Sequence, residues 1–472
     1  MQVRYLWLLV FISLSAFGQD FKTGIKVDGL KDAYQITDAS NNRLVLFVKD
    51  SLDMKAFQID DQFQVTAHLA TTNPEKKLKE IIGHSSNGNQ YTIFFATKKY
   101  KKIVSETFNF DTKTISSTTT ELDLSKETYI CRFSTNHELY FITKLDEGNA
   151  LKFYVFNEGG NTQTKIINLL DYKIEEETNT NEFNRDDKYS LIPFDTPYSL
   201  VESACKRKIF PGKEDVYLTF DNKTTATTIL KINLNSFEVL VNKISQAVLS
   251  NSNLESYSNS VMVDETKIVQ MNTNSKQFKM AFKDFSGSVI KDYLVYDNEE
   301  IGFKNSDMIR LNGTGERVLD KTSQFLSKIT DLNVGLSCFK NNDRYHMTIG
   351  GVSVTRSSGG MMIGAPMMIN SFSVNGNGIG TVSSFSTAFS YFNYNTGVSG
   401  AYGNRKLVYI NSVFDENFDH IEGKMALTSQ DKINDFIDAN PNFTHYLVMP
   451  FHSKVYLGFY DDRYKEYTLL QF

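Results

Sequence analysis

Gln58-Ile59-Asp60-Asp61 closes one apolar, strand-like run and opens another, and the chain repeats the device six more times. The other copies are Asn109-Phe110-Asp111-Thr112, Val155-Phe156-Asn157-Glu158, Lys231-Ile232-Asn233-Leu234, Phe282-Lys283-Asp284-Phe285, Val413-Phe414-Asp415-Glu416 and Phe459-Tyr460-Asp461-Asp462. With the Asp or Asn as marker, the intervals from Asp60 onward are 51, 46, 76, 51, 131 and 46 residues. The short intervals match the length of one β-propeller blade, and the long ones mark insertions. Asp and Asn suit such turns because their side chains bond nearby backbone and tolerate left-handed φ.

A strongly apolar run stands about 16 residues before each marker: Leu44–Val48, Ile93–Ala96, Leu139–Ile142, Val216–Phe220, Lys267–Met271 and His445–Met449. The sixth run, Arg344–Ile349, lies 70 residues before its marker when counted from Tyr345, so that unit holds an insertion. Runs rich in β-branched and aromatic residues read as strands. The apolar run is taken as a blade's second strand and the marker as the turn between its third and fourth. The chain is therefore expected to be all-β: a seven-bladed β-propeller, with six or eight blades as the alternatives. Lys465–Phe472 is expected to be the fourth strand of the last blade. Residues 21–37 are expected to supply the first strand of the first. Ser429–Asn440, with Ile433, Phe436 and Ile437 spaced for one helix face and Pro441 closing it, predicts a short helix.

The overlong intervals place insertions at about 171–198, 297–325 and 351–404. The first two connect blades. The third joins the second and third strands of the sixth. Antiparallel strands alternate direction, so all three are expected to project from one face. Long loops on a rigid scaffold are where binding residues gather. The third contains Gly359-Gly360-Met361-Met362-Ile363-Gly364-Ala365-Pro366-Met367-Met368-Ile369, and Arg356 is its one formal charge. Met-rich surfaces make adaptable apolar contacts. Arg356, Met361, Met362, Met367, Met368, Tyr391 and Tyr394 are the candidate partner-binding residues. The alternative is a plug folded over the channel or a neighbouring blade.

The first residues read as an export signal. Arg4 gives a positive start, Leu6–Ile12 an apolar core, and Ala16-Phe17-Gly18 a small-residue cleavage site after Gly18. Residues 1–18 are thus a signal peptide and 19–472 one propeller domain. No later apolar run is long enough to cross a membrane as a helix. A secreted, periplasmic or cell-surface location is expected. Net charge is −5, which makes no electrostatic case for nucleic acid. Three cysteines, Cys131, Cys205 and Cys338, are an odd number for an exported chain. Their spacing selects no pair, and buried free thiols are expected.

No catalytic or metal-binding pattern stands out. Ser203-Ala204-Cys205-Lys206, Tyr257-Ser258-Asn259 and Lys22-Thr23-Gly24 match short motifs of penicillin-binding enzymes but fall in the wrong order. His445 and His452 lie seven apart, on opposite sides of one extended strand. No cofactor is expected. A binding scaffold for a protein, peptide or cell-surface partner is the leading reading. A propeller hydrolase acting on glycans or peptides is the alternative, because carboxylates from separate blades need no sequence spacing to converge.

Through Gly359-Gly360-Met361-Met362 and Tyr409–Phe418, clearest over about 340–472, the chain resembles a group of uncharacterised exported bacterial proteins of propeller type. The resemblance implies a bacterial, extracytoplasmic setting and brings no site residue.

Overall fold

The computed structural model describes residues 20–472 apart from 39–40, 51–52, 73–79, 136, 175–188, 195–197, 224, 251–252, 313–314, 342, 354–404, 426 and 453. Seven separate sheets of four or five strands form a seven-bladed propeller. Blade one is a meander of Asp32–Asp38, Arg43–Lys49, Asp53–Ile59 and Val65–Thr72. Blades two, three and five repeat it over 80–121, 127–168 and 257–296. The middle strands are buried on both faces, as Leu44–Val48 and Leu139–Ile142 are, because each blade is sandwiched between two others.

The ring closes through the N-terminus. Asp20–Lys26 pairs antiparallel with Glu466–Gln471, in a sheet completed by Lys454–Asp461 and Thr444–Phe451. Three expectations are corrected here. His445–Met449 lies in the innermost strand of blade seven, not the second, and Asp461 marks that blade's second turn. Glu466–Gln471 is the third strand, and the fourth comes from the other end of the chain. Only Asp32–Asp38, the later part of 21–37, is the first strand of blade one.

Blade six is also wound out of sequence. Its order from the inside is Asn333–Asn341, Arg344–Val352, Lys406–Phe414, Met308–Asn312 and Gly315–Leu319. The stretch 297–325 therefore supplies the two outer strands and the start of helix α2 (Thr322–Thr330) instead of a projecting loop. The reason lies after Phe414. The chain turns back through a bridge from Phe414 to His420, and Ile421 N–H donates to the Val413 carbonyl. That occupies the edge a downstream fourth strand would need.

The first insertion also turns inward. Tyr189–Leu191 adds a parallel strand to the inner edge of blade four (Arg207–Pro211). Helix α1 (Leu200–Ser203) then packs against the inner two strands of blade six. Tyr198 is held there by Ser337 Oγ–H, which donates to its carbonyl at 2.6 Å, and by Cys338 N–H, which donates to its hydroxyl at 3.0 Å. Asn259 of blade five donates to the Ser203 carbonyl. The described end of the first insertion and the helix after it thus lie against the inner strands of blades four and six. The plug expected from the third falls outside the described residues. Helix α3 (Ser429–Ala439) forms where the sequence predicts it, with a Thr428–Asp431 capping box.

The turn markers have a second role. At Asp60, Asp284 and Asp415 the carboxylate accepts N–H bonds from the residues two and four further on. Three residues past Asp60 and Asp415, a phenylalanine takes positive φ: Phe63 at 59° and Phe418 at 62°. In the looser Asn233 turn, Phe237 does so at 59°. Bulky side chains avoid this region at a cost of about 1–2 kcal/mol. Here each ring reaches the preceding blade. Phe63 lies 4.8 Å from Tyr456, Phe237 5.6 Å from Phe153, and Phe418 stacks at 4.2 Å on Phe282. Burial of the ring outweighs the backbone strain. At Asp284 the strained position is Gly287, and Phe285 makes the contact instead, 6.0 Å from Tyr217.

All three cysteines are buried and free. Burial pushes the thiols of Cys131 and Cys338 well above their ordinary range.

Phe418→Ala should lower stability in urea denaturation by about 3–5 kcal/mol. Phe418→Gly should be milder by up to about 1 kcal/mol, because glycine accepts the positive φ without strain. A glycine variant less stable than the alanine one would remove strain from the account.

Candidate functional site: the seam between blades six and seven

Six of the seven blade junctions share a continuous apolar core. Blades one and two meet through Tyr34, Phe47, Tyr91 and Phe95, and blades seven and one through Leu46, Met449, Tyr456 and Leu469. Between blades six and seven there are two separate clusters. Blade six packs Ile309, Val352, Leu407 and Tyr409 against α1. Blade seven packs Tyr446, Val448, Phe459 and Leu470 against Ile433 of α3. Each blade's cluster is completed by its own helix, and the seam has two distinct ends.

Two positions on this face of blade six cannot carry a side chain. A Cβ on Gly350 would meet the Val408 carbonyl at 1.9 Å, and one on Gly335 would meet Ser203 Oγ at 3.0 Å. Small residues let α1 lie close. The polar groups of that face are paired, as where Thr348 Oγ–H donates to Asn411 Oδ1 at 2.9 Å.

One end of the seam launches the third insertion. Strand Arg344–Val352 runs to its edge, and Lys406–Phe414 returns from it. Ser353 clamps the stalk: its N–H donates to the Lys406 carbonyl at 2.8 Å, and its Oγ accepts from Lys406 N–H at 2.9 Å. The insertion therefore leaves the ladder after Ser353, slightly later than expected. Arg356, Met361, Met362, Met367, Met368, Tyr391 and Tyr394 all lie outside the described residues.

The other end, about 26 Å away along the strand, opens into a cleft of about 320 Å³. It is lined by Asn341, Arg344 and His346 of blade six, by Val413, and by the linker residues Ile421, Glu422, Lys424, Met425, Leu427 and Thr428. Asn305 fixes the linker. Its amide N–H groups donate to the Ile421 and Gly423 carbonyls at 2.7 and 2.8 Å. Its Oδ1 accepts from Val413 N–H at 2.7 Å and lies 3.0 Å from His420 Nε2. His346 stacks on Phe339 at 5.3 Å. Burial, with Arg344 nearby, lowers the His346 pKa to about 4, so the imidazole is neutral at physiological pH. The sequence carried no sign of this cleft, because its residues come from three separated segments and match no motif.

Two of the carboxylates buried elsewhere, Asp221 and Glu202, are held in structural bonds. Asp221 pairs with Lys208 at 3.0 Å, both fully buried, and accepts from Thr227 Oγ and Ser260 Oγ. Burial opposes its ionisation, but Lys208, Lys206 and these hydroxyls hold the carboxyl below its ordinary range. Glu202 accepts from Ser199 N–H at the start of α1. Among the described residues no three His, Cys, Asp or Glu side chains are grouped to hold a metal ion. No helix among them is long and apolar enough to cross a membrane.

No protein-family model and no curated protein matches the chain. Among solved structures, the WD40 domain of SCAP from fission yeast is 8% identical, over 94% of this chain and 81% of that one, with a TM-score of 0.31. A mutant apocarotenoid oxygenase from Synechocystis is 9% identical, with a TM-score of 0.29. The match covers 56% of this chain and 62% of the oxygenase, so the chain spans about three-fifths of that length. A protein from Lactobacillus plantarum is 10% identical over 67% and 82%, with a TM-score of 0.25. At these scores the propeller is established by the chain's own strand pairing.

The His346 shift has a testable sign. Its folded pKa lies below the ordinary 6.5, so the unfolded chain takes the proton first. The neutral side chain's contribution is fully present above pH 6.5 and is lost as pH falls toward 4. The parent should lose stability relative to His346→Phe by about 3 kcal/mol across that interval. Parallel pH profiles in chemical denaturation would contradict this.

Proposed function

We propose that the protein is an exported, non-catalytic propeller scaffold that binds a protein, peptide or cell-surface partner through the Met-rich insertion of blade six. One observation carries this reading. Of the three long insertions, the described end of the first, Tyr189–Leu191 and Tyr198, lies against inner strands and the second is built into blade six. The third, 354–404, leaves from a hydrogen-bonded stalk at the end of the most heavily braced blade. Five strands and two helices support that stalk. A rigid base beneath a long, nearly uncharged Met- and Gly-rich sequence suits adaptable apolar contact. Export rests on the sequence of residues 1–18.

The test replaces 354–404 with a short Gly-Ser turn in the mature chain. The shortened protein should keep the parent's thermal midpoint within about 2 °C, because the stalk bonds are retained. It should also lose co-sedimentation with the cell envelope of the source bacterium. A Met361, Met362, Met367 and Met368 to Ser variant should lose most of the same binding. Undiminished sedimentation of both variants would move the binding surface elsewhere. Mass spectrometry of the exported protein should find an N-terminus at Gln19.

A further inference from the structure

The cleft at the far end of the seam has a chemistry of its own, independent of the insertion. Its rim holds two cations, Arg344 and Lys424, and one carboxylate, Glu422, all exposed. Neither the Arg344 nor the Lys424 side chain has a hydrogen bond or ion pair with another described residue. By contrast Lys340, on the same turn, is paired with Asp343 and Glu416. The unspent charge of the cleft is therefore about +1 with His346 neutral.

Beside this charge lies an apolar wall of Val413, Ile421, Met425 and Leu427. Leu427 is 49% exposed, a large aliphatic side chain left at the mouth. Asn341 adds an amide with donors and an acceptor. The wall does not collapse, because Asn305 pins the linker through four contacts.

We propose that this cleft binds a carboxylate carried on a small apolar group, such as the C-terminal residue of a peptide ending in leucine. Arg344 would hold the carboxylate as a fork, with Lys424 as a second positive charge. The aliphatic part would lie on Ile421, Met425 and Leu427. Asn341 would meet the adjoining amide. A volume of about 320 Å³ is at the small end of ligand sites, enough for one residue and not for an extended chain. Glu422 disfavours a dianion, since one net positive charge is neutralised by a monoanion. That separates a carboxylate from a phosphate.

The experiment is isothermal titration of the mature full chain with four probes. They are N-acetyl-leucine, N-acetyl-leucinamide, a pentapeptide of four alanines ending in a leucine carboxylate, and inorganic phosphate. The acid should bind at least about ten-fold tighter than the amide, the difference one charged hydrogen-bonded contact makes. Arg344→Gln should weaken acid binding by about ten-fold and Lys424→Gln by about three-fold, because Arg makes the bidentate contact. Both variants should keep the parent's thermal midpoint, since neither side chain has a partner to lose. Pentapeptide binding as tight as that of the acid would make peptide ends the source. Binding of N-acetyl-leucine alone would make it a free small acid. The proposal is overturned if acid and amide bind alike, if phosphate binds in preference, or if neither acid gives saturable binding. It is also overturned if Arg344→Gln binds the acid as the parent does.

Discussion

Everything in this molecule depends on burying the faces of sheets that cannot stand alone. A single four-stranded blade has two apolar faces and two open edges. Placed in a ring, each blade covers its neighbours, and the edges left are short. The ring holds because Asp20–Lys26 crosses from the start of the chain to pair with Glu466–Gln471 at its end. With that strand in place, blade seven has a complete ladder and packs on blade one through Tyr456, Tyr467 and Leu469. Ile25 and Val27 of the incoming segment join the same core, so closure is hydrophobic as well as hydrogen-bonded.

The phenylalanines at the strand turns are a local version of the same rule. Phe63, Phe237 and Phe418 accept a disfavoured backbone so that the ring can enter the preceding blade. A hairpin turn is solvent-exposed by default. These turns become blade-to-blade contacts, which ties the position of each outer edge to its neighbour's core.

Regularity breaks at one place, and the molecule's unusual features gather there. Among the described residues blades six and seven share no apolar cluster. Helix α1 packs on blade six and α3 on blade seven, the Met-rich insertion starts from one end, and the cationic cleft opens at the other. A junction built from connecting segments can be altered without disturbing the packing of the other six. That freedom is a physical reason for binding features to sit at a seam.

Seven blades as the leading count, and most strand positions, were legible in the sequence. Apolar strand runs and turns centred on Asp or Asn are local properties, and a repeat writes them seven times. Helix α3 was legible for the same reason, through the spacing of Ile433, Phe436 and Ile437 and the stop at Pro441. Only the tertiary structure decided which segment fills which edge. Met308–Asn312 precedes the strands it borders, and Asp20–Lys26 closes a sheet more than 400 residues away. An edge strand needs only a free ladder beside it, and ladders do not record sequence order. The cleft was hidden for a related reason. Asn305, Arg344 and Lys424 are ordinary surface-type residues in the chain. They form a site only because the linker after Phe414 turns back on the edge that Asn305 pins.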